Sequence, residues 1–309
     1  QQTTSRKWMY NQVLVAGGSG FLGRRLQKYK PEWTYLSSQD CDLLDKDSVR
    51  EMLEEYNPEA VIHLAGTVGG IKANSEYPAD FLYNNSMMSL NLIHQCSLSG
   101  VDRMLISLST CAFPDTVNEY PMTEDDFYSG KPAETNISYG FSKRLSHIQA
   151  LSCRKQYNRN YSTFSPSNLY GIGDHFDTDS SHFISSLISK VAKASHGDTL
   201  EMWGTGKPLR QHLYVDDLCQ VIPKLLQLHN TEVPVIVAPN ENLSISESCN
   251  ILNEISGKKL KFTYNGKYDG QYRKDGSNNK LHNIIGDFNY TTFEEGIRIT
   301  YGWYTNLDK

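Results

Sequence analysis

Tyr139 and Lys143 stand four residues apart in the run Tyr139-Gly140-Phe141-Ser142-Lys143, a spacing that puts both side chains on one face of a helix. An ordinary tyrosine, with a pKa of about 10, is a poor acid–base group at neutral pH. A fixed ammonium beside it favours the phenolate and brings the pair into useful range. Upstream, Ser109 falls at the predicted end of a strand, where its hydroxyl can hydrogen-bond a carbonyl oxygen. Cys111 follows two residues later, and in an extended backbone the two side chains face the same pocket. The alternatives are plain: Tyr-x-x-x-Lys arises by chance in many helices, and most free cysteines are buried packing groups.

A second constellation lies near the start. The apolar run Val13–Ala16 leads into Gly17-Gly18-Ser19-Gly20-Phe21-Leu22-Gly23, with glycines 17, 20 and 23 spaced Gly-x-x-Gly-x-x-Gly. Glycine permits the tight turn and lets backbone N–H groups at a helix start approach a pyrophosphate. A dinucleotide site is the expectation, an incidental turn the alternative. The predicted second strand ends Tyr35-Leu36-Ser37-Ser38-Gln39 with no acid until Asp40. A carboxylate there would grip a ribose 2′-OH, so its absence favours NADP(H) over NAD(H). Arg24 and Arg25 follow the third glycine and are placed to supply charge. Asp42 and Leu43 either border the adenine or form a surface turn.

These groups need a scaffold. Strands are predicted at 13–16, 35–36, 60–65, 104–108 and 161–165, with helices between them carrying Leu22 and Leu26, then Val49, Met52 and Leu53, then Phe81, Asn85, Met88, Leu92 and Cys96, and then residues 139–157. Ser48-x-x-Glu51 reads as a capping box, and Pro58 ends that helix. Strand–helix alternation at this spacing predicts an α/β fold, a doubly wound parallel sheet of Rossmann type. Beyond Pro166 a Gly-, Asp-, Ser- and His-rich loop runs to Ser181. Short elements follow, with helices at 183–194, 216–228 and 245–255 and strands at 200–203, 235–237 and 260–263, then a basic Gly-rich stretch at 266–274. The expected division is a nucleotide-binding domain over residues 1–170, rejoined by 211–240, and a smaller substrate-binding lobe over 171–210 and 241–309.

The 309-residue chain carries a net charge of −5 with the signs well mixed, which argues against a nucleic-acid or membrane surface. No apolar run reaches the about 18 residues of a membrane span, and the first ten residues lack the apolar stretch of a secretory signal. Six cysteines are scattered without a Cys-x-x-Cys pair. Reduced thiols, no metal site and a cytoplasmic location are expected.

Glycine loop, upstream Ser109 and the Tyr139/Lys143 pair together resemble the extended short-chain dehydrogenase/reductase family. The later run Trp203-Gly204-Thr205-Gly206, with Arg210 and Tyr214-Val215-Asp216-Asp217-Leu218, is similar to that family's sugar-nucleotide branch. Dehydratases of the branch carry an Asp-Glu pair after the Ser/Thr, whereas this chain has Ser109-Thr110-Cys111. That segment resembles the GDP-L-fucose synthases, a family of NADPH-dependent 3,5-epimerase/4-reductases. So do His63 through Ile71, Tyr77 through Phe81, Pro166 through Gly171, the serine-flanked His182, and Asp269-Gly270-Gln271 with Arg273-Lys274. The resemblance spans about residues 12 to 305.

What the resemblance implies is specific. Ser109, Tyr139 and Lys143 reduce a ketone, while Cys111 and His182 exchange protons on opposite faces of the sugar ring. Gly17, Gly18, Ser19, Gly20, Phe21, Leu22, Gly23, Asp42 and Leu43 hold NADP(H). So do Leu64, Ala65, Gly66, Ser107, Leu108, Pro166, Asn168 and Leu169, with Tyr139, Lys143 and His182. Lys190, Trp203, Arg210 and Asp269 contact the GDP-sugar, and the assembly is a homodimer. Two departures stand out: Gly171-Ile172-Gly173-Asp174-His175-Phe176 replaces the usual Gly-Pro-x-Asp-Asn-Phe, and Gly66 replaces alanine. Open alternatives are an enzyme of the same build for another keto-sugar, such as a GDP-L-colitose synthase, and a non-catalytic NADP(H)-binding protein.

Overall fold

The computed structural model describes residues 10–176, 181–267 and 269–306. The leading residues 1–9, residues 177–180 of the Gly- and His-rich loop, and residue 268 of the basic stretch lie outside them. The first half of the chain runs β1 (Val13–Ala16), α1 (Phe21–Tyr29), β2 (Thr34–Leu36), α2 (Lys46–Tyr56) and β3 (Ala60–His63). It continues with α3 (Ile71–Glu76), α4 (Pro78–Leu98), β4 (Arg103–Ser107), α5 (Ile137–Tyr157) and β5 (Asn160–Pro166). Next come β6 (Asn168–Tyr170), α6 (Phe183–Lys193), β7 (Thr199–Met202), β8 (Leu209–Arg210), β9 (His212–Tyr214) and α7 (Val215–Leu228). The chain closes with β10 (Val235–Val237), β11 (Leu243–Ser244), α8 (Ile245–Ser256), β12 (Lys261–Tyr264), α9 (Asn279–Ile285) and α10 (Phe293–Thr305).

Six parallel strands form the main sheet in the order β10-β5-β4-β3-β1-β2. Alternation along β1 explains why its run is wholly apolar. Leu14 and Ala16 pack on one face with α2, α4 and α5 residues such as Val49, Leu92 and Ala150. Val13 and Val15 pack on the other with Leu26 of α1 and Leu218, Ile222 and Leu225 of α7. Each such branched side chain, once fully buried, contributes roughly 1.5–3 kcal/mol. A third core joins α6, α8 and α10 around Tyr170, Tyr214, Leu187 and Phe293. The parallel α/β sheet expected from the sequence is present, and β10 returns late in the chain to pair with β5.

Local differences have physical causes. Helix α2 begins three residues before the expected box: Asp45 is its N-cap and accepts from Asp47 N, while Ser48 Oγ accepts from Asp42 N at 3.1 Å. The Asp45 carboxylate is the stronger acceptor for the exposed helix start. Helices α3 and α9 are too short to show a period, and α10 was missed although Thr292 caps it and Phe293, Ile297 and Thr300 recur on its buried face.

Strand order reverses between β1 and β3, because β2 lies on one side of β1 and β3 on the other. In open α/β sheets a ligand crevice forms beyond the strand ends at such a reversal.

Candidate active site

The glycine loop follows β1 at this reversal. Gly17 has φ +91°, and a Cβ there would lie 2.6 Å from Ala65 N. At Gly18 it would meet the Tyr35 Cβ at 2.7 Å, and at Gly23 the Gly17 carbonyl oxygen at 2.3 Å. The three glycines therefore let the loop lie against β2, the chain after β3, and α1 at once. Gly20 caps α1 without a side-chain acceptor, and the first turn contains no acid. Its leading N–H groups are thus a seat for an anion, which fits a dinucleotide pyrophosphate.

Around this seat the sequence-predicted residues are arranged as follows. Ser19 is exposed and its carbonyl accepts from Arg24. Residues 64–66 follow β3, and a Cβ on Gly66 would approach Asn85 Oδ1 at 3.1 Å and Lys143 Nζ at 3.5 Å. Asn85 pins this loop, bonding both Thr67 N and Thr67 O. The absent methyl at Gly66 thus leaves room beside the Lys143 ammonium. Asp42 is spent on its own turn, accepting from Leu44 N, and Leu43 is buried in the core. Pro166 ends β5, Asn168 bonds the Gln211 carbonyl, and Leu169 packs on the second core.

Beyond β2, Ser37 N and Oγ both donate to Asp40 Oδ2 at 2.7 Å, so that carboxylate closes its own turn. The two arginines expected to supply charge are engaged elsewhere. Arg25 forms a two-pronged pair with Asp216, which ties α1 to the start of α7. Arg24 bonds the carbonyls of Ser19 and Gly173.

The reactive cluster forms where β4 ends. Ser107 O accepts from Lys143 Nζ at 3.2 Å, and Leu108 N donates to Phe164 O at 2.7 Å. The backbone then departs from the extended path expected through Ser109 and Cys111. Residues Thr110–Ala112 form a 3₁₀ turn capped by Ser109, whose Oγ accepts from Cys111 N at 3.1 Å. The Ser109 hydroxyl prefers an orphan turn N–H to an extended course. Serine and cysteine are neighbours all the same, through the cap rather than the strand period.

Helix α5 is pressed against this turn. A Cβ on Gly140 would meet the Cys111 carbonyl at 2.7 Å, and Arg144 Nε donates to Ala112 O at 2.6 Å. This close approach brings the half-buried Tyr139 beside Cys111. Burial raises the Tyr139 pKa above its ordinary value, and the Cys111 charge raises it further. The shift runs opposite to the lowering expected from a neighbouring ammonium, and it favours the protonated phenol. Lys143 Nζ lies over the ring, 5.5 Å from its centroid, and burial lowers its own pKa to about 8.

Sequence reasoning gave no role to one further contact of Cys111. Lys274, itself buried, donates from Nζ to Cys111 Sγ at 3.3 Å. Burial would raise the thiol pKa, but Lys274, the Ser109 hydrogen bond and Arg210 outweigh it, and the net shift is downward. His182 is the N-cap residue of α6, and its side chain makes no capping hydrogen bond. Burial lowers its pKa, Asp174 opposes that lowering and Lys274 adds to it. Asp174 is held by His175 N at 2.8 Å and by Ser185 Oγ. The second imidazole of this loop, His175, is exposed.

Substrate-side residues surround this cluster unevenly. Arg210 lies on β8, where burial lowers its pKa and Cys111 and Asp269 oppose the change. Asp269 accepts from Thr205 N at 2.6 Å and Thr205 Oγ1 at 2.8 Å, fixing the Gly204 turn at φ +77°. Trp203 at that turn is half exposed. Lys190, in the last turn of α6, interacts with Cys249 of α8 instead of the Cys111 cluster.

Residues 13–238 match the NAD dependent epimerase/dehydratase family. The GDP-L-fucose synthase of Dictyostelium discoideum is 32% identical, aligned over 98% of this chain and 97% of its own. The GDP-L-colitose synthase of Yersinia pseudotuberculosis is 30% identical, over 95% and 98%. The crystal structure of a GDP-L-fucose synthetase from Naegleria fowleri bound to NADP has a TM-score of 0.87 at 30% identity, covering 98% of this chain and 96% of that one.

Proposed function

The chain belongs to the NAD dependent epimerase/dehydratase family, and on that premise we propose that it converts GDP-4-keto-6-deoxy-D-mannose to GDP-L-fucose with NADPH. The observation that carries the reading is the meeting of Cys111, Lys274 and Tyr139 beside the glycine loop, in a chain similar from end to end to named GDP-L-fucose synthases. Residues 1–170 and 211–240 form the cofactor part in this reading, and 171–210 with 241–309 form the substrate lobe.

NADPH is held by the loop of residues 17–23, residues 64–66, Ser107, Leu108, Lys143 and the chain from Pro166 to Leu169, and when bound it supplies the hydride for C4. NADPH is preferred to NADH in kcat/KM, because the first carboxylate beyond β2, Asp40, is turned onto Ser37. Lys190, Trp203, Arg210 and Asp269 bind the GDP-sugar. A C4 ketone acidifies the hydrogens at C3 and C5. Cys111 takes such a proton as a thiolate, the electron pair moves to the ketone oxygen, and His182 returns a proton on the opposite face. Once inversion is complete, Ser109 steadies the C4 oxygen and Tyr139, protonated at rest, delivers its proton to it. A GDP-L-colitose synthase would use the same groups, a reading favoured by the Yersinia relative.

Two copies pair through α4 and α5, whose neighbouring faces expose Leu82, Tyr83, Phe141, Leu145 and Ile148. The free cysteines suit the reducing cytoplasm. The deciding experiment incubates the protein with NADPH and GDP-4-keto-6-deoxy-D-mannose and identifies the sugar by NMR. GDP-L-fucose is expected; an unconsumed substrate, or a product inverted at C5 alone, sinks the reading.

A further inference from the structure

Lys274 is a lysine that water barely reaches, with its ammonium 3.3 Å from a sulfur. A buried ammonium is costly unless paired, and a thiolate is the partner the structure offers. The segment around it is fastened on both sides. Met122 N donates to Asp275 O at 2.8 Å and Ser277 N to Met122 O at 2.7 Å. Gln211 clamps Gly276, accepting from its N–H at 2.8 Å and donating to its carbonyl at 3.1 Å. Arg273 and Asp275 form an ion pair, and Tyr120 OH bonds the Arg273 carbonyl at 3.2 Å. A surface lysine merely passing near a thiol needs no such mooring.

We propose that Lys274 is a positioning residue that holds Cys111 as a thiolate and aims its sulfur, so that the base is ready before substrate arrives. The proposal deepens the function proposed above and rests on it for the identity of the ring carbons. Other groups facing the sulfur are Arg210 from β8, Tyr139 from α5 and Ser109 at the turn. Arg210 favours the thiolate less strongly than Lys274 does, and the Ser109 hydrogen bond also favours it. The proton from the sugar goes to sulfur, and the electron pair goes to the ketone oxygen. The same ammonium disfavours an imidazolium at His182, and Asp174 offsets this. One cation thereby separates the base from the acid.

The test needs no sugar. Cys111 is the one cysteine with partial solvent access, the other five being buried. Iodoacetamide alkylation of Cys111, followed by peptide mass mapping across pH, reads its thiolate directly. In the wild type the midpoint is expected below the about 8.5 of an ordinary thiol. In Lys274→Gln it rises by about one pH unit or more, a roughly tenfold loss of thiolate at neutral pH. In Lys274→Arg it stays near the wild-type value. An unmoved midpoint in Lys274→Gln overturns the proposal, as does a wild-type midpoint at or above the ordinary value, which holds even where the variant fails to fold. In D₂O with NADP⁺ and the keto-sugar, ring-proton exchange falls in Lys274→Gln and recovers partly as pH is raised. Wild-type protein that exchanges no ring proton, with a low alkylation midpoint, refutes the substrate assignment and leaves the Lys274–Cys111 pairing standing.

Discussion

The Lys143 ammonium lies over the face of the Tyr139 ring and gives its hydrogen bond to the Ser107 carbonyl, not to the phenol. The pair therefore splits its work: Tyr139 keeps a proton to give, and Lys143 stands beside Gly66, both among the residues proposed to hold NADPH. Tyr139→Phe removes that proton and nothing else of size. NADPH oxidation with keto-sugar present is expected to drop by about 10²-fold or more, while NADPH binding by fluorescence titration is retained. A variant that oxidises NADPH at near the wild-type rate refutes the role of Tyr139.

Burial lowers Lys143 to about 8, which fixes the sign of a pH effect. A lysine with a lowered pKa carries its charge below that value and loses it as pH rises through it. The hold on NADPH is then weakened on the alkaline side, and its KM is expected to climb above pH about 8. In Lys143→Met, KM is raised throughout and that rise is absent. Steady-state kinetics across pH decide it, and a flat wild-type KM up to pH about 10 contradicts the assignment.

Gly23 gives a stability prediction with its own control. A methyl there would sit 2.3 Å from the Gly17 carbonyl and 2.7 Å from Gly18 Cα, both backbone. Gly23→Ala is expected to cost about 1–3 kcal/mol and to weaken NADPH binding, since the loop must shift. Gly302 in α10 has open space at its Cβ, so Gly302→Ala is expected to gain about 0.5–1 kcal/mol with binding unchanged. Denaturant melts and NADPH titration of both variants check the contrast.

What could be read from the sequence follows from how local the signal is. The strands β1 and β3 and the glycine loop were legible because Val13–Ala16 must be apolar on both faces and the loop after it cannot carry side chains. The Ser109–Cys111 neighbourhood was read correctly as a pair but by the wrong period, because a serine that caps a 3₁₀ turn looks no different in sequence from one in a strand. The lowering of the Tyr139 pKa expected from its lysine neighbour is reversed by burial, which helix spacing does not report. Lys274 was seen only as part of a motif. Its partner lies 163 positions away, and the backbone clamp from Gln211 that delivers it has no local signature.

Cys111 separates the specific reading from a generic reductase. Its thiol has a lowered pKa despite burial, which is what a base for a weakly acidic ring carbon requires. Cys111→Ser is nearly isosteric and leaves Tyr139, Lys143 and the glycine loop as they are. A serine hydroxyl is a far weaker acid than a thiol, so Lys274 cannot hold it as an anion near neutral pH. In D₂O with NADP⁺, where reduction cannot consume the ketone, the wild type is expected to take deuterium at C3 and C5. Cys111→Ser is expected to lose that exchange by about 10²-fold or more. With NADPH the same variant still reduces the unepimerised ketone and releases a GDP-6-deoxyhexose other than fucose. His182→Gln removes the opposite-face acid and is expected to impair inversion while thiolate formation, read by alkylation, persists. NMR of the ring protons measures both effects. Undiminished exchange at both carbons in Cys111→Ser makes Cys111 a packed thiol and turns attention to His175, the other imidazole of the loop that leads to His182.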